Sequence, residues 1–199
     1  MESLSEVDVA DFEAEVTPAR LRALKWVHAA FGLSVVPFGA AIAALYSQGP
    51  SSPEGPREGV FLALNLATLA NLLLFCVCYH IGTRLFNAQF SRARLSDAIR
   101  QESRTEQPTA RPAGKCLAII QRALVLRLAC LDAAAAIGFG ACLAATVLGA
   151  MRLHSIYWLN AVPCVFLPAY VALTFPSADR LRILFLIKIA RASRFSWVR

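Results

Sequence analysis

Apolar residues run almost without charge through four blocks of this chain, Trp26–Tyr46, Val60–Ile81, Leu128–Met151 and Ile156–Phe175. A helix rises about 1.5 Å per residue, so roughly 20 such residues cross the hydrocarbon core of a bilayer. The pattern therefore predicts an all-α, integral membrane four-helix bundle built from two helical hairpins. Residues 24–82 form the first hairpin, turning at Ser47–Gly59, a stretch too rich in Gly, Pro and Ser for helix or strand. Residues 127–176 form the second, turning at Arg152–Ser155. Neither turn leaves room for an external domain.

Between and around the hairpins the pattern changes. Residues 1–23 form an acidic tail, with Glu2, Glu6, Asp8, Asp11, Glu13 and Glu15, expected to be solvated and weakly ordered. It lacks the basic start and short apolar core of a signal peptide. Residues 83–126 are a basic connection. Thr83–Arg104 extends the second helix outward until Pro108 and Pro112 interrupt it, and Cys116–Leu126 is apolar enough to lie in the membrane interface ahead of the third span. Residues 177–199 read as a basic amphipathic helix lying in the interface. Phe185, Leu186, Ile189 and Trp197 oppose Arg180, Lys188, Arg191, Arg194 and Arg199, the first four of these cations being the candidates for lipid headgroups.

Composition sharpens this picture. Residues of the set AVILMFWYC make up 57% of the 199 and charged residues only 17%. Soluble domains run about 45 to 50% and about 25%. A soluble enzyme, a disulfide-stapled secreted module and a disordered chain are thereby excluded. The net charge of +7 resembles a nucleic-acid signal until its cations are placed. They cluster before the first block, between the second and third, and after the fourth, which four crossings put on one side. Under the positive-inside rule that side is the cytoplasm, with both termini there, so no nucleic-acid partner is expected. Cys76, Cys78, Cys130, Cys142 and Cys164 lie inside the blocks and Cys116 in the connection, so no disulfides are expected.

Four groups could carry function. In the third span Cys130, Ala134, Gly138, Cys142, Thr146 and Ala150 recur every four residues, a small-residue stripe that lets helices approach within one chain or between copies. The second span carries Asn65, Thr68 and Asn71 on one face, with Cys78 nearby. Amides are costly in hydrocarbon, so this face should turn inward, to bond other helices or to line a path for a small solute. His28, His80 and Asp132 are expected in one leaflet. Asp132, the one acid inside a predicted span, calls for a partner such as Arg127 or Arg84, or for a role in proton relay or transport. The two histidines, with or without Asp132, are weak candidates for haem or metal binding. Last, Asn160, Pro163 and Pro168 should kink the fourth span, as Pro37 and Gly39 break the first. Trp26, Tyr46, Tyr79, Tyr157 and Trp158 form an aromatic belt. No HExxH, CxxC, P-loop or nucleophile elbow is present and no cofactor is called for.

These features are expected of a non-enzymatic membrane protein, a subunit, scaffold or assembly factor whose partners are the bilayer and other membrane proteins or itself. A small transporter or channel-like protein using Asn65, Asn71 and Asp132, and a haem or metal redox protein using His28 and His80, remain open.

Overall fold

The computed structural model describes residues 8–48, 58–91, 93–95 and 112–190, and these contain no strand. The tip of the first hairpin turn, Pro108 of the basic connection, and Arg191 and Arg194 lie outside the described residues. Among the described residues four helices are long and apolar enough to cross a membrane: Pro18–Gln48, Glu58–Gln89, Pro112–Val147 and Ser155–Thr174. At about 1.5 Å per residue the second and third measure roughly 48 and 54 Å, well beyond the about 30 Å that hydrocarbon requires.

The chain divides into two compact units. One comprises residues 1–28, 83–127 and 175–199, and the other residues 29–82 and 128–174. In the first unit, α1 (Val9–Glu15) starts where the Asp8 carboxylate accepts from the Val9 N–H at 2.6 Å. Helix α2 (Pro18–Ser34) opens with Pro at its first position, where a missing N–H costs nothing, while Thr17 Oγ1 accepts from the Arg20 N–H. Phe12 is fully buried and stacks on Phe185 at 4.4 Å. The acidic segment is thus not a loose tail from Val9 onward: burial of one phenylalanine holds it as a helix.

Helix α5 (Pro112–Val147) begins in the same unit. Its Cys116, Leu117, Ile120 and Ala123 are buried with Phe12, Leu24, Leu95, Leu181 and Phe185. The apolar lead-in to the third span therefore packs against protein, where an interfacial position was expected. Helix α4 (Glu58–Gln89) ends here, with Phe86 and Phe90 in the core.

The C-terminal stretch differs in a related way. Helix α9 follows α6 (Ala150–Leu153), α7 (Ser155–Ala161, a 3-10 helix) and α8 (Val162–Thr174); it runs Ala178–Phe185 and continues as a π-helical turn, Leu186–Ala190. It buries Leu181, Phe185 and Ile189, spaced four apart, in the unit's core, while Ile183 and Ile187 stay exposed. The apolar side expected to enter the bilayer is thus turned largely toward the chain itself. Lys188 Nζ donates to Asn87 Oδ1 at 2.8 Å, Arg182 pairs with Glu13 at 3.0 Å, and Arg180 donates to the Phe175 carbonyl at 3.4 Å.

The second unit holds the remaining parts of α2, α4 and α5, together with α3 (Val36–Gln48), α6, α7 and α8. The first span breaks at Val35, and Pro37 falls in the first turn of α3, where its ring is tolerated. The third ends at Val147, and Gly149, at φ 74°, adopts the left-handed conformation that starts the return through α6. The fourth is 3-10 helix through α7 and α-helix through α8, Pro163 and Pro168 lying in the latter. Two apolar clusters form the core. Ile42, Leu64, Cys142, Ala145, Met151 and Tyr157 make one, and Leu128, Leu131, Ala135, Leu167 and Val171 the other.

Candidate functional site

Between these clusters in sequence, on the second, third and fourth spans, lies a layer of polar and small residues. On α4, Thr68 and Asn71 fall between Leu64 and Phe75. On α5, Gly138 falls between Ala135 and Cys142, and on the fourth span Asn160 falls between Tyr157 and Leu167. Asn71 and Asn160 are 2% and 1% exposed. Buried amides must find partners, because each unmet group costs free energy comparable to a lost hydrogen bond.

Those partners are each other. Asn71 Nδ2 donates to Asn160 Oδ1 at 3.2 Å and approaches the Asn160 carbonyl at 3.5 Å. Asn160 Nδ2 donates to Thr68 Oγ1 at 2.9 Å and to the Tyr157 carbonyl at 3.1 Å. Thr68 passes its own hydrogen to the Leu64 carbonyl at 2.9 Å. One turn away, the Tyr157 hydroxyl donates to Asn65 Oδ1 at 3.0 Å, and Asn65 itself is exposed, where an inward position was expected. The direction of every bond is consistent, and both Asn160 amide hydrogens are used. Pro163 explains why the Asn160 carbonyl is open to a side chain: three residues on, where a 3-10 helix would supply an N–H, proline has none. Asn71 Oδ1 is buried with no hydrogen-bond partner among the described residues.

Gly138 admits this arrangement. A Cβ there would stand 2.5 Å from the Asn160 carbonyl oxygen and 3.3 Å from Asn71 Nδ2, the first distance closer than real atoms come. The stripe residues Ala134, Cys142, Thr146 and Ala150 are buried and Cys130 half-buried. Thr146 Oγ1 returns its hydrogen to the Cys142 carbonyl at 2.8 Å, with Met151 Sδ 3.1 Å away.

Asp132 belongs to a separate pair. Ser34, the last residue of α2, lies with its Oγ 2.8 Å from Asp132 Oδ1 and 2.7 Å from the Phe31 carbonyl. A hydroxyl at the break in the first span thus meets the carboxyl, where a guanidinium was expected; Arg84 and Arg127 belong to the other unit. In that unit Arg127 lies 5.6 Å from the centre of the Phe86 ring. His28 is fully buried there, its Nδ1 donating to the Leu24 carbonyl at 3.0 Å and its ring edge-on to Phe175, while Nε2 has no hydrogen-bond partner among the described residues. His80 is exposed on α4. Among the described residues no three His, Cys, Asp or Glu side chains come together in a way that could hold a metal ion.

Of the aromatic belt, Trp26, Tyr79 and Trp158 are exposed. Tyr46 is half-buried, with the Arg152 guanidinium 4.9 Å from its ring centre and donating to its carbonyl. Tyr157 departs from the expectation: it is 1% exposed and joins the polar ladder. Reading along the sequence identifies Asn65, Thr68 and Asn71 but not their partners. Asn160 signals itself only as a lone amide in an apolar block, and Ser34 gives no signal. No protein-family model matches the chain, and no curated protein or solved structure does.

Proposed function

We propose that this chain is a non-enzymatic, four-span integral membrane protein with both termini in the cytoplasm. It acts as a subunit, scaffold or assembly factor through its transmembrane helices and its cytoplasmic face. The observation that carries the reading is the polar ladder: Asn71 donates to Asn160, Asn160 to Thr68 and Tyr157 to Asn65, bonds that tie the second span to the fourth, as a packing device does. A solute path would leave several of these side chains turned to an opening.

The orientation rests on charge. Among the described residues Arg20, Arg22, Lys25, Arg84, Arg94, Lys115, Arg122, Arg127, Arg180, Arg182 and Lys188 belong to the first unit, and Arg152 alone of the Lys and Arg to the second. Cations gather on the cytoplasmic side of short-looped membrane proteins. The test is thiol labelling of single-cysteine variants in sealed cells. A membrane-impermeant reagent should reach cysteines introduced at Ser52 and His154 and spare one introduced at Thr105. Labelling at Thr105 from outside overturns the orientation.

A transporter or channel-like role is the second reading, and one observation favours it: the unmet, buried acceptor Asn71 Oδ1. Under that reading Asn71→Leu leaves the protein folded and abolishes flux. Under the first it lowers folded yield.

A further inference from the structure

Ser34 and Asp132 meet at the break in the first span, and the hydrogens available to them can be counted. Ser34 Oγ lies 2.7 Å from the Phe31 carbonyl oxygen and 2.8 Å from Asp132 Oδ1. Both separations are hydrogen-bond lengths for oxygen pairs, and each needs a hydrogen between its atoms. Serine brings one hydrogen, a carbonyl none and an ionised carboxylate none. A hydroxyl on a helix commonly gives its hydrogen to the carbonyl three or four residues back. Ser47, Thr68, Thr146 and Thr174 all do so in this chain, at 2.7, 2.9, 2.8 and 2.7 Å. With the Ser34 hydrogen spent in the same way on Phe31, the hydrogen between Ser34 and Asp132 has to come from the carboxyl.

The neighbourhood points the same way. Among the described residues no Lys or Arg forms an ion pair with Asp132. At this level α5 packs with the ends of α2 and α3, with α8 and with α4. The titratable side chains these elements bring are Cys130 on α5, Cys164 and Tyr170 on α8, and Cys78, Tyr79 and His80 on α4, while the first span brings none from Ala29 to Leu45. Thiols and phenols carry no positive charge in either form. His80 is exposed and turned about 180° from Asn71, the residue through which α4 meets Gly138. Among the described residues the Lys and Arg of this unit come down to Arg152, which lies beyond the far end of α5 and donates to the Tyr46 carbonyl. Pro37 has no N–H for the Leu33 carbonyl four residues back, so the break is short of hydrogens rather than of acceptors.

We propose that Asp132 is a proton-binding site, its carboxyl holding a hydrogen that it donates to Ser34 Oγ, while Ser34 donates in turn to the Phe31 carbonyl. The site goes beyond the scaffold role above, and the hydrogen count does not depend on that role. A neutral acid is also far less costly than an anion in an apolar block. The proton is tied to the backbone at the break. When it leaves, the O–H bond of Asp132 breaks, the electron pair stays on the carboxylate and the proton passes to a water as hydronium. Ser34 then turns its one hydrogen to the new anion, and the Phe31 carbonyl, in the last turn of α2, loses that donor. Gain or loss of one proton thus sets which bonds hold the joint between α2 and α3.

Infrared spectroscopy of the full chain in lipid membranes at neutral pH tests this. Asp8, Asp11, Asp97 and Asp179 are changed to Asn, which leaves Asp132 as the only aspartate, and the protein is made by cell-free synthesis with isotopic carbon in the aspartate side-chain carboxyl. Asp132 itself is never replaced, so a fold lost on replacing it cannot confuse the outcome. The label should displace the C=O stretching band of an un-ionised acid, and that band should move again in heavy water as its hydrogen exchanges. Displacement of the carboxylate pair of bands instead overturns the proposal. Raising the pH should convert the acid band into the carboxylate pair. Ser34→Ala removes the acceptor of the acid's hydrogen and should bring that conversion about one pH unit lower, a tenfold loss of proton affinity. A conversion moved to higher pH means that serine donates to a carboxylate and overturns the proposal. An unmoved conversion means that the two groups do not bond and overturns it as well.

Discussion

Replacing Gly138 with Ala introduces one methyl group at the tightest backbone approach in the polar layer. The added carbon would stand 2.5 Å from the Asn160 carbonyl oxygen, about 1 Å inside contact distance, and that atom belongs to backbone that cannot swing aside. The fourth span must then move outward. Overpacking of this kind costs about 1 to 3 kcal/mol. The displacement also stretches the Asn71–Asn160 and Asn160–Thr68 bonds, already 3.2 and 2.9 Å long, and interhelical hydrogen bonds in membranes contribute roughly 0.6 kcal/mol each. The total is about 2 to 4 kcal/mol, or roughly 5 to 15 °C in melting temperature for a chain of this size. Gly140→Ala, two residues away on the same helix and facing open space, is the control. It adds the same methyl without a clash and gains up to about 1 kcal/mol of helix propensity. The assay is monodispersity by fluorescence-detected size exclusion after stepwise heating in mild detergent. Indistinguishable melting of the two variants would refute the close approach of the fourth span to α5.

Asn160→Leu strands the Asn71 amide and should cost about 1 to 3 kcal/mol by the same assay; adding Asn71→Leu should recover part of that loss, since removing both partners leaves no unmet group. An additive double variant would count against their pairing. Ser34→Ala and Asp132→Ala should each destabilise by up to about 1.7 kcal/mol, and the double variant by no more than the worse single one. Phe12→Ala opens a cavity under α1 and should cost about 3 to 5 kcal/mol in the first unit, read as rapid proteolysis near Val16; resistance equal to the parent would mean the stacking on Phe185 does not hold α1.

Helices long and apolar enough to cross a membrane were legible from residue pattern alone because hydrocarbon imposes one requirement, about 20 apolar residues with internally bonded backbone, and that requirement is local in sequence. The break just ahead of Pro37, the change from 3-10 to α-helix just ahead of Pro163, the small-residue spacing through Gly138 and the inward position of Thr68 and Asn71 follow from equally local chemistry. Partners do not. Asn160 and Asn71 are 89 residues apart and Ser34 and Asp132 98, and nothing in either neighbourhood specifies which helix supplies the second group. Nor can periodicity tell an apolar face that meets lipid from one that meets protein, since both are lined by the same side chains. That is why Leu117, Ile120, Phe185 and Ile189 looked interfacial and are buried core, and why an acidic segment concealed a helix anchored by Phe12. The distinction rests on which other segments are near, a property of the folded chain that tertiary contact alone decides.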